Sequence, residues 1–346
     1  MSFKFKILSI DGGGIRGIIP AIILAEVEKR TGKRICEMFD LIAGTSTGGI
    51  LAVGLAKPHP FHPQMPHYTA ENLIDWYRQE GERIFYEPLA ERLTKADDFM
   101  KPKYSAKGRD EVLTEYLGDT CLKKALTGVF LTSYDIELRM PIIFVSNQQA
   151  EIKGESFRKI CTGFTMKEAA MATSAAPSFF EPYHLPTIQT PTGFYTLVDG
   201  GVFATNPTSL AIMEAVITAQ KAGEKLAIDE ILVVSLGTGS MTRKYPYEQA
   251  KNWGLLGWVE PLINILMDGL SESVASQLEQ LLPQAQGYPK LYYRFQAPLT
   301  EANDNLDDAS PDNIRKLEAL AKRIIAERER DLDEMCELIT KQPQLI

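Results

Sequence analysis

Ser46 stands at the centre of Gly44-Thr45-Ser46-Thr47-Gly48, directly after Phe39-Asp40-Leu41-Ile42-Ala43 and before Gly49-Ile50-Leu51-Ala52-Val53-Gly54-Leu55. A serine between two glycines, with a strand-like run before it and a helix-like run after it, has the pattern of a nucleophile elbow. Gly44 and Gly48 lack Cβ atoms and so allow the sharp turn. The hydroxyl is then held out at the carboxyl end of the strand, facing a helix N-terminus. The chemistry this suggests is acyl transfer through a covalent intermediate, which needs a base for the serine proton and donors for the oxyanion.

A second glycine turn, Asp11-Gly12-Gly13-Gly14-Ile15-Arg16-Gly17, follows the strand-like run Lys6 to Ile10 and opens a helix. Gly12-x-Gly14-x-x-Gly17 formally matches a dinucleotide-binding fingerprint. That fingerprint wants an acidic residue at the end of the second strand. Here that strand ends in Gly44-Thr45-Ser46, and Asp11 would repel a pyrophosphate. The competing readings are a plain tight turn and an oxyanion hole built from the Gly12, Gly13 and Gly14 amides. The neighbouring serine turn favours the oxyanion hole.

The base is the open question. The chain has four histidines, His59, His62, His67 and His184, and none follows His184. A triad in α/β-hydrolase order needs a histidine downstream of its acid, so His184 serves only with an upstream acid. The first three lie among Pro58, Pro60, Pro63 and Pro66, with no cysteine or carboxylate in that loop, and read as a solvated loop rather than a metal site. Asp199 ends a strand and precedes Gly200-Gly201. Its carboxylate could accept the serine proton directly, although an unperturbed aspartate, at about 3.9, is a weak base. Partial burial would raise it and improve it. The alternative is that Asp199 only caps an Asp-Gly turn.

The elements that must hold these residues alternate. Strands are expected at Lys6–Ile10, Asp40–Ala43, Val129–Ile136, Met140–Asn147, Tyr195–Val198, Glu230–Leu236 and Leu291–Phe295. Helices are expected at Gly17–Arg30, Asn72–Phe85, Asp110–Leu117, Thr165–Thr173, Pro207–Ala219 and Trp253–Leu282, and one long charged helix at Pro311–Leu338. An irregular insertion separates Phe85 from Asp110. Strands alternating with helices imply a mostly parallel sheet covered on both faces. No repeat or low-complexity linker divides the chain, so a single domain over 1–346 with a C-terminal helical segment at about 311–340 is expected.

Composition narrows the class. With 45% hydrophobic and 24% charged residues, the chain of 346 residues has the make-up of a soluble globular protein. A net charge of −8 argues against a grip on nucleic acid polymers. The four cysteines are widely spaced and form no C-x-x-C pair, which suits free thiols in a reducing compartment. The first residues enter a strand-like run rather than a signal peptide, and no stretch reaches the roughly 18 apolar residues of a membrane span. A cytoplasmic protein is expected, with any membrane contact peripheral, at the inner face. Trp253-Gly254-Leu255-Leu256-Gly257-Trp258-Val259 and Leu262 to Met267 are unusually apolar. They suit a bilayer interface, a lid over the site, or a helix packed on the core. Lys322, Arg323, Arg328 and Arg330 read as a solvated helix face.

Together these residues resemble the patatin-like phospholipases. The resemblance rests on Asp11 to Gly17, Gly44 to Gly48 and Asp199-Gly200-Gly201. It is supported by Ala172 to Pro177, Asn206-Pro207 and Ser235 to Gly239, and runs from Ile7 to about Leu320. It implies a three-layer α/β/α patatin-like fold, a Ser46–Asp199 dyad without histidine, and an oxyanion hole at Gly12, Gly13 and Gly14. Arg16, Gly17, Gly44, Gly48 and Gly200 would support that site. Arg16 either favours an anionic head group or pins the loop. The implied activity is hydrolysis of acyl esters of membrane phospholipids, without calcium or another cofactor. The chain is also similar to compact bacterial members that include anti-phage effectors activated by cyclic oligonucleotides. That likeness sets activation by such a ligand, in antiviral defence, as a further expectation, and a homodimer is a compatible assembly. A lipid transacylase, or a lipid- or nucleotide-binding module on a hydrolase-like scaffold, remains the alternative.

Overall fold

Alternate residues of the central strands bury on opposite sides of one sheet. Leu8, Ile10, Ile42, Leu232 and Val234 join one core, while Ile7, Leu41, Ala43, Ile231 and Val233 join the other. Such strands have no polar face, which is why they read as continuous apolar runs. The computed structural model describes residues 3–85, 101–282 and 290–341. Its strands are β1 (Phe5–Ile10), β2 (Leu41–Thr45), β3 (Gly128–Asp135), β4 (Met140–Val145), β5 (Ile152–Lys153), β6 (Arg158–Ile160), β7 (Tyr183–Pro186), β8 (Phe194–Asp199), β9 (Ile231–Leu236) and β10 (Tyr292–Phe295). The helices are α1 (Ile18–Thr31), α2 (Ile35–Met38), α3 (Thr47–Ala56), α4 (Ala70–Ile84), α5 (Ala106–Leu117), α6 (Met166–Thr173), α7 (Gly201–Ala204), α8 (Thr208–Lys221), α9 (Tyr247–Ala250), α10 (Leu255–Leu281), α11 (Pro311–Glu327) and α12 (Glu329–Thr340).

The sheet runs β10-β9-β1-β2-β3-β4-β6-β5, with β8 pairing both β3 and β7. From β10 to β3 every pairing is parallel. Beyond β3 the sheet is mixed, because β3 pairs antiparallel with β4 and with β8. The core on one face includes side chains of α1, α3, α4, α6, α11 and α12, and the other face is covered by α8 and the end of α10. This is a mixed α/β protein with a central, mostly parallel sheet, as the sequence implies.

Three differences from the sequence reading have physical causes. β5, β6 and β7 are extra strands, too short or too exposed to leave a periodic signal. The expected helix Pro311–Leu338 is two helices. Arg328 leaves helical geometry at φ −111°, ψ 25°, and its side chain bonds the Arg294 carbonyl at 3.1 Å and Asp331 at 2.8 Å. Arg328 is thus an anchor onto β10 rather than part of a solvated face. The irregular segment expected before Asp110 falls partly on residues 86–100, outside the described residues.

Candidate active site

Ser46 is the one residue between β2 and α3. Its φ of 56° and ψ of −124° lie in a region that a non-glycine residue rarely adopts. Holding a side chain there costs about 1–3 kcal/mol, so the surroundings must enforce it. Its carbonyl accepts from the amides of Gly49 and Ile50 at 2.9 and 3.1 Å, which starts α3. Its own amide donates to Thr173 Oγ1 at 2.9 Å, and that hydroxyl donates to the Thr132 carbonyl at 2.6 Å. Gly48 allows the crossing, because a Cβ there would collide with the Ile10 carbonyl at the end of β1.

Thr173 is the last residue of α6. Thr165 and Glu168 start that helix with a reciprocal capping box, at 3.1 and 2.8 Å. A local sequence signal therefore fixes the helix that delivers the hydrogen-bond acceptor for the elbow.

Asp199 reaches Ser46 by an arrangement the sequence does not reveal. β2 ends with Thr45 opposite Thr132 of β3, and β8 ends with Asp199 opposite Ser133, the next residue of β3. β2 runs parallel to β3 and β8 antiparallel, so their carboxyl ends meet head-on along β3. Thr45 Oγ1 closes the junction, lying 2.6 Å from Thr132 Oγ1 and donating to the Ala204 carbonyl at 2.6 Å. The Asp199 amide donates to the Ala175 carbonyl at 2.9 Å.

The Asp199 carboxyl borders the same cavity as the Ser46 side chain and accepts from the Gly201 amide at 2.7 Å. It is 4% exposed. Burial pushes it up to about 6, while the Ser46 hydroxyl, the Gly201 amide and the Arg109 guanidinium pull the other way. A carboxylate at that level is a competent base near neutral pH.

The glycine loop borders the serine. A Cβ on Gly12 would come within 3.3 Å of the Ser46 Cβ. The Gly12 amide, however, donates to the Thr205 carbonyl at 2.9 Å, and its carbonyl accepts from Thr238 Oγ1 at 2.7 Å. Gly12 is therefore a fixed point of the loop, and its assignment as an oxyanion donor is corrected: the amide is engaged. Among the described residues no hydrogen bond takes up the Gly13 and Gly14 amides. Gly14 has φ +57°, where a side chain would be strained and would meet the Leu306 carbonyl.

Arg16 is 3% exposed and donates to the Gly13 carbonyl at 3.2 Å and the Asp304 carbonyl at 3.3 Å. Burial lowers it to about 10 despite Asp304, Asp268 and Asp11 nearby. These contacts favour loop pinning over head-group binding. Gly17 and Gly200 are close-approach positions, against Thr47 and Tyr77 and against Thr132.

Two functional candidates are absent from the sequence reading. Arg294 of β10 pairs with Asp11 at 2.6 Å, both buried, and Ser271 of α10 donates to the same carboxylate at 2.7 Å. This pair anchors the entry to the glycine loop. Its signal is a lone charge inside the apolar run Tyr292 to Phe295, which demands a buried partner. Arg109 of α5 is 1% exposed and lines the same cavity as Ser46 and Asp199. Its helical position beside Val112 and Leu113 is on the buried face, but the charged neighbours Lys107, Asp110 and Glu111 disguise it.

A cavity of about 180 Å³ opens over Ser46 and Asp199. Its walls are overwhelmingly apolar and include Ile50, Trp76, and Ile263, Leu266 and Met267 of α10. None of the four histidines borders it. His184 lies exposed on β7 with its ring 4.2 Å from that of Phe194. His59 stacks on His62 and packs at a tilt against His67, by the loop that bridges Pro58 to Pro66.

The chain is thus a mixed α/β protein whose central sheet carries an elbow serine, a buried carboxyl and an apolar cavity that both of them line. A family profile described as patatin-like phospholipase matches residues 8–212. The chain is 34% identical over 344 residues to "Probable inactive patatin-3-Kuras 1" of Solanum tuberosum, covering 93% of this chain and 87% of that protein. It is 31% identical to "Patatin-like protein 1" of Arabidopsis thaliana, covering 93% and 81%. It is 33% identical to "Patatin-like protein 2" of Oryza sativa subsp. indica, covering 92% and 83%. The chain belongs to the patatin-like phospholipase family, whose general activity is lipid acyl hydrolysis. These relatives are plant proteins, and they lend no support to the expected likeness to compact bacterial members. One is described as probably inactive, so the residues at the site, not membership, decide turnover. Among solved structures, VipD from Legionella pneumophila aligns with a TM-score of 0.39 and 12% identity over 92% of this chain and 67% of that one. That likeness is too weak to bear on fold or function.

Proposed function

We propose that this protein is a phospholipase A-type serine hydrolase that cleaves carboxylic esters of membrane phospholipids through a Ser46–Asp199 dyad. The observation that carries the reading is a strained elbow serine and a buried carboxyl, raised to about 6, that line the same apolar cavity. Asp199 takes the Ser46 proton as the oxygen attacks the ester carbonyl. The tetrahedral oxyanion is stabilised by the Gly13 and Gly14 amides, each such donor being worth about 10²–10³ in turnover. Asp199 returns the proton to the departing lyso-lipid oxygen, leaving an acyl-serine. Water, deprotonated by Asp199, then releases the fatty acid and regenerates Ser46.

The outer side of α10 supports a lipid surface as the substrate's setting. Leu255 is 92% exposed and Leu256 69%, and Trp258, Val259, Leu262 and Ile265 continue the patch. Contiguous exposed apolar surface of this kind marks an interaction site. The same helix lines the cavity with Ile263 and Met267, so one element joins the exposed patch to the cavity. No described helix is long and apolar enough to cross a membrane.

Ser46→Ala and Asp199→Asn test the reading. Each folded variant loses ester cleavage, and a fluorophosphonate probe labels Ser46 in the wild type alone. A folded Ser46→Ala chain with full activity overturns it, and failure to label under any condition favours the binding-module alternative. Product analysis on mixed phospholipids separates hydrolysis from transacylation. Activation by a cyclic oligonucleotide rests on the family resemblance alone. Hydrolysis assayed with and without a panel of cyclic di- and trinucleotides decides it, and no stimulation by any member removes it.

A further inference from the structure

Arg109 is a buried cation that forms no ion pair with a carboxylate among the described residues. Its Nη1 donates to the Ser174 carbonyl and, at 3.4 Å, to the Ser174 hydroxyl. The Phe180 ring centroid lies 4.3 Å from the guanidinium carbon. Nε and Nη2 are buried and have no hydrogen-bond partner among the described residues. Burying an unpaired charge is costly, and burial lowers this guanidinium to about 10. A fold that retains such a group gains something from its field or its grip.

Ser174 is the middle of three residues that link the two halves of the dyad. Thr173 Oγ1 accepts the Ser46 amide, and the Ala175 carbonyl accepts the Asp199 amide, each at 2.9 Å. Arg109 holds the residue between them. The groups acting on the Asp199 carboxyl are the Ser46 hydroxyl, the Gly201 amide and Arg109. On β3, the Thr132 and Ser133 hydroxyls are engaged with Thr45 Oγ1 and the Val198 carbonyl. Asp199 leads the titratable groups that act on Arg109, followed by Tyr183, Asp110 and Glu181. A carboxyl in an apolar cavity tends to stay protonated and is then no base. A direct ion pair would overcorrect, fixing the carboxylate as a weak acceptor. A cation one residue removed from contact opposes protonation without taking up the acceptor oxygens.

We propose that Arg109 is a positioning residue for acyl transfer: it grips the middle of the Thr173–Ala175 link that sets Ser46 against Asp199, and places a buried cation behind that link. The inference rests on the dyad reading of the site.

The test uses full-length Arg109→Gln, Arg109→Lys, Ser46→Ala and Asp199→Asn. Hydrolysis of a p-nitrophenyl butyrate solution, which needs no membrane, is followed from pH 5 to 9 beside thermal unfolding. Arg109→Gln is expected to lower kcat by about tenfold through the loosened link, with KM little changed, and to move the acid limb of kcat/KM to higher pH. Arg109→Lys is expected to bring the limb back and to lose less turnover than the glutamine variant. A folded Arg109→Gln enzyme with the limb unmoved overturns the proposal. So do glutamine and lysine variants that lose activity alike in proportion to lost stability. If Arg109→Gln does not fold, Arg109→Met carries the same test, and if neither neutral variant folds the residue is a structural anchor and the proposal fails. Active Ser46→Ala or Asp199→Asn enzyme refutes the dyad itself, whereas inactive controls with an unmoved Arg109→Gln limb refute only the role of Arg109.

Discussion

Asp199→Asn should abolish hydrolysis and at the same time stabilise the fold at neutral pH. An aspartate in an unfolded chain titrates near 3.9, whereas the buried Asp199 is raised to about 6. That difference disfavours the ionised carboxyl in the folded state by about 3 kcal/mol. Below about pH 4 the group is neutral whether the chain is folded or not, and the wild type bears no penalty. As pH rises from about 4 to about 6, the unfolded chain ionises first, and the wild type loses stability across that window. Above about pH 6 the full penalty is present. Asparagine is never charged, fills the same space and can accept the Gly201 amide hydrogen bond. The variant should therefore match the wild type at pH 4 and melt roughly 5 °C higher at pH 8. Differential scanning calorimetry at the two pH values reads the difference directly. A variant no more stable than the wild type at pH 8 would refute the reasoning, because burial would then not be what raises Asp199.

Arg294→Met should lower stability by about 3–5 kcal/mol by leaving the Asp11 carboxylate buried and unpaired; urea unfolding measures it, and the Asp11→Asn/Arg294→Met double variant should lose less than the sum of the single changes. Replacing Trp258 and Leu262 with serine should weaken binding to phosphatidylglycerol vesicles several-fold in a sedimentation assay, while turnover of dissolved p-nitrophenyl butyrate stays unchanged.

The parts of the site that depend on local backbone geometry were legible in the sequence. Gly44 to Gly48 and Gly12 to Gly17 announce themselves because a sharp turn has few residue solutions. β1, β2 and β9 were legible because both of their faces are buried. The partnership of Ser46 with Asp199 was not a local property. It was reached from the lack of a downstream histidine and from a family resemblance, and its geometry depends on β3 outrunning β2 by enough residues to seat β8. The Gly12 amide looked equivalent to its neighbours in sequence, but the Thr205 carbonyl that engages it comes from the far end of α7. Arg109 and Arg294 were hidden for a related reason: what marks a buried charge is its surroundings, and those assemble from segments far apart in the chain.

The head-on meeting of β2 and β8 gives the site an order in time. During synthesis Ser46 leaves the ribosome long before Asp199, and Arg294, which anchors the glycine loop, emerges later still. On the dyad reading, a nascent or truncated chain carries a nucleophile with no acceptor for its proton. The serine is armed only when β8 docks on the free end of β3, and its loop is secured only when β10 closes the opposite edge of the sheet. Catalytic competence then reports completion of the fold, and the lipids of the producing cell meet an inert polypeptide until that point.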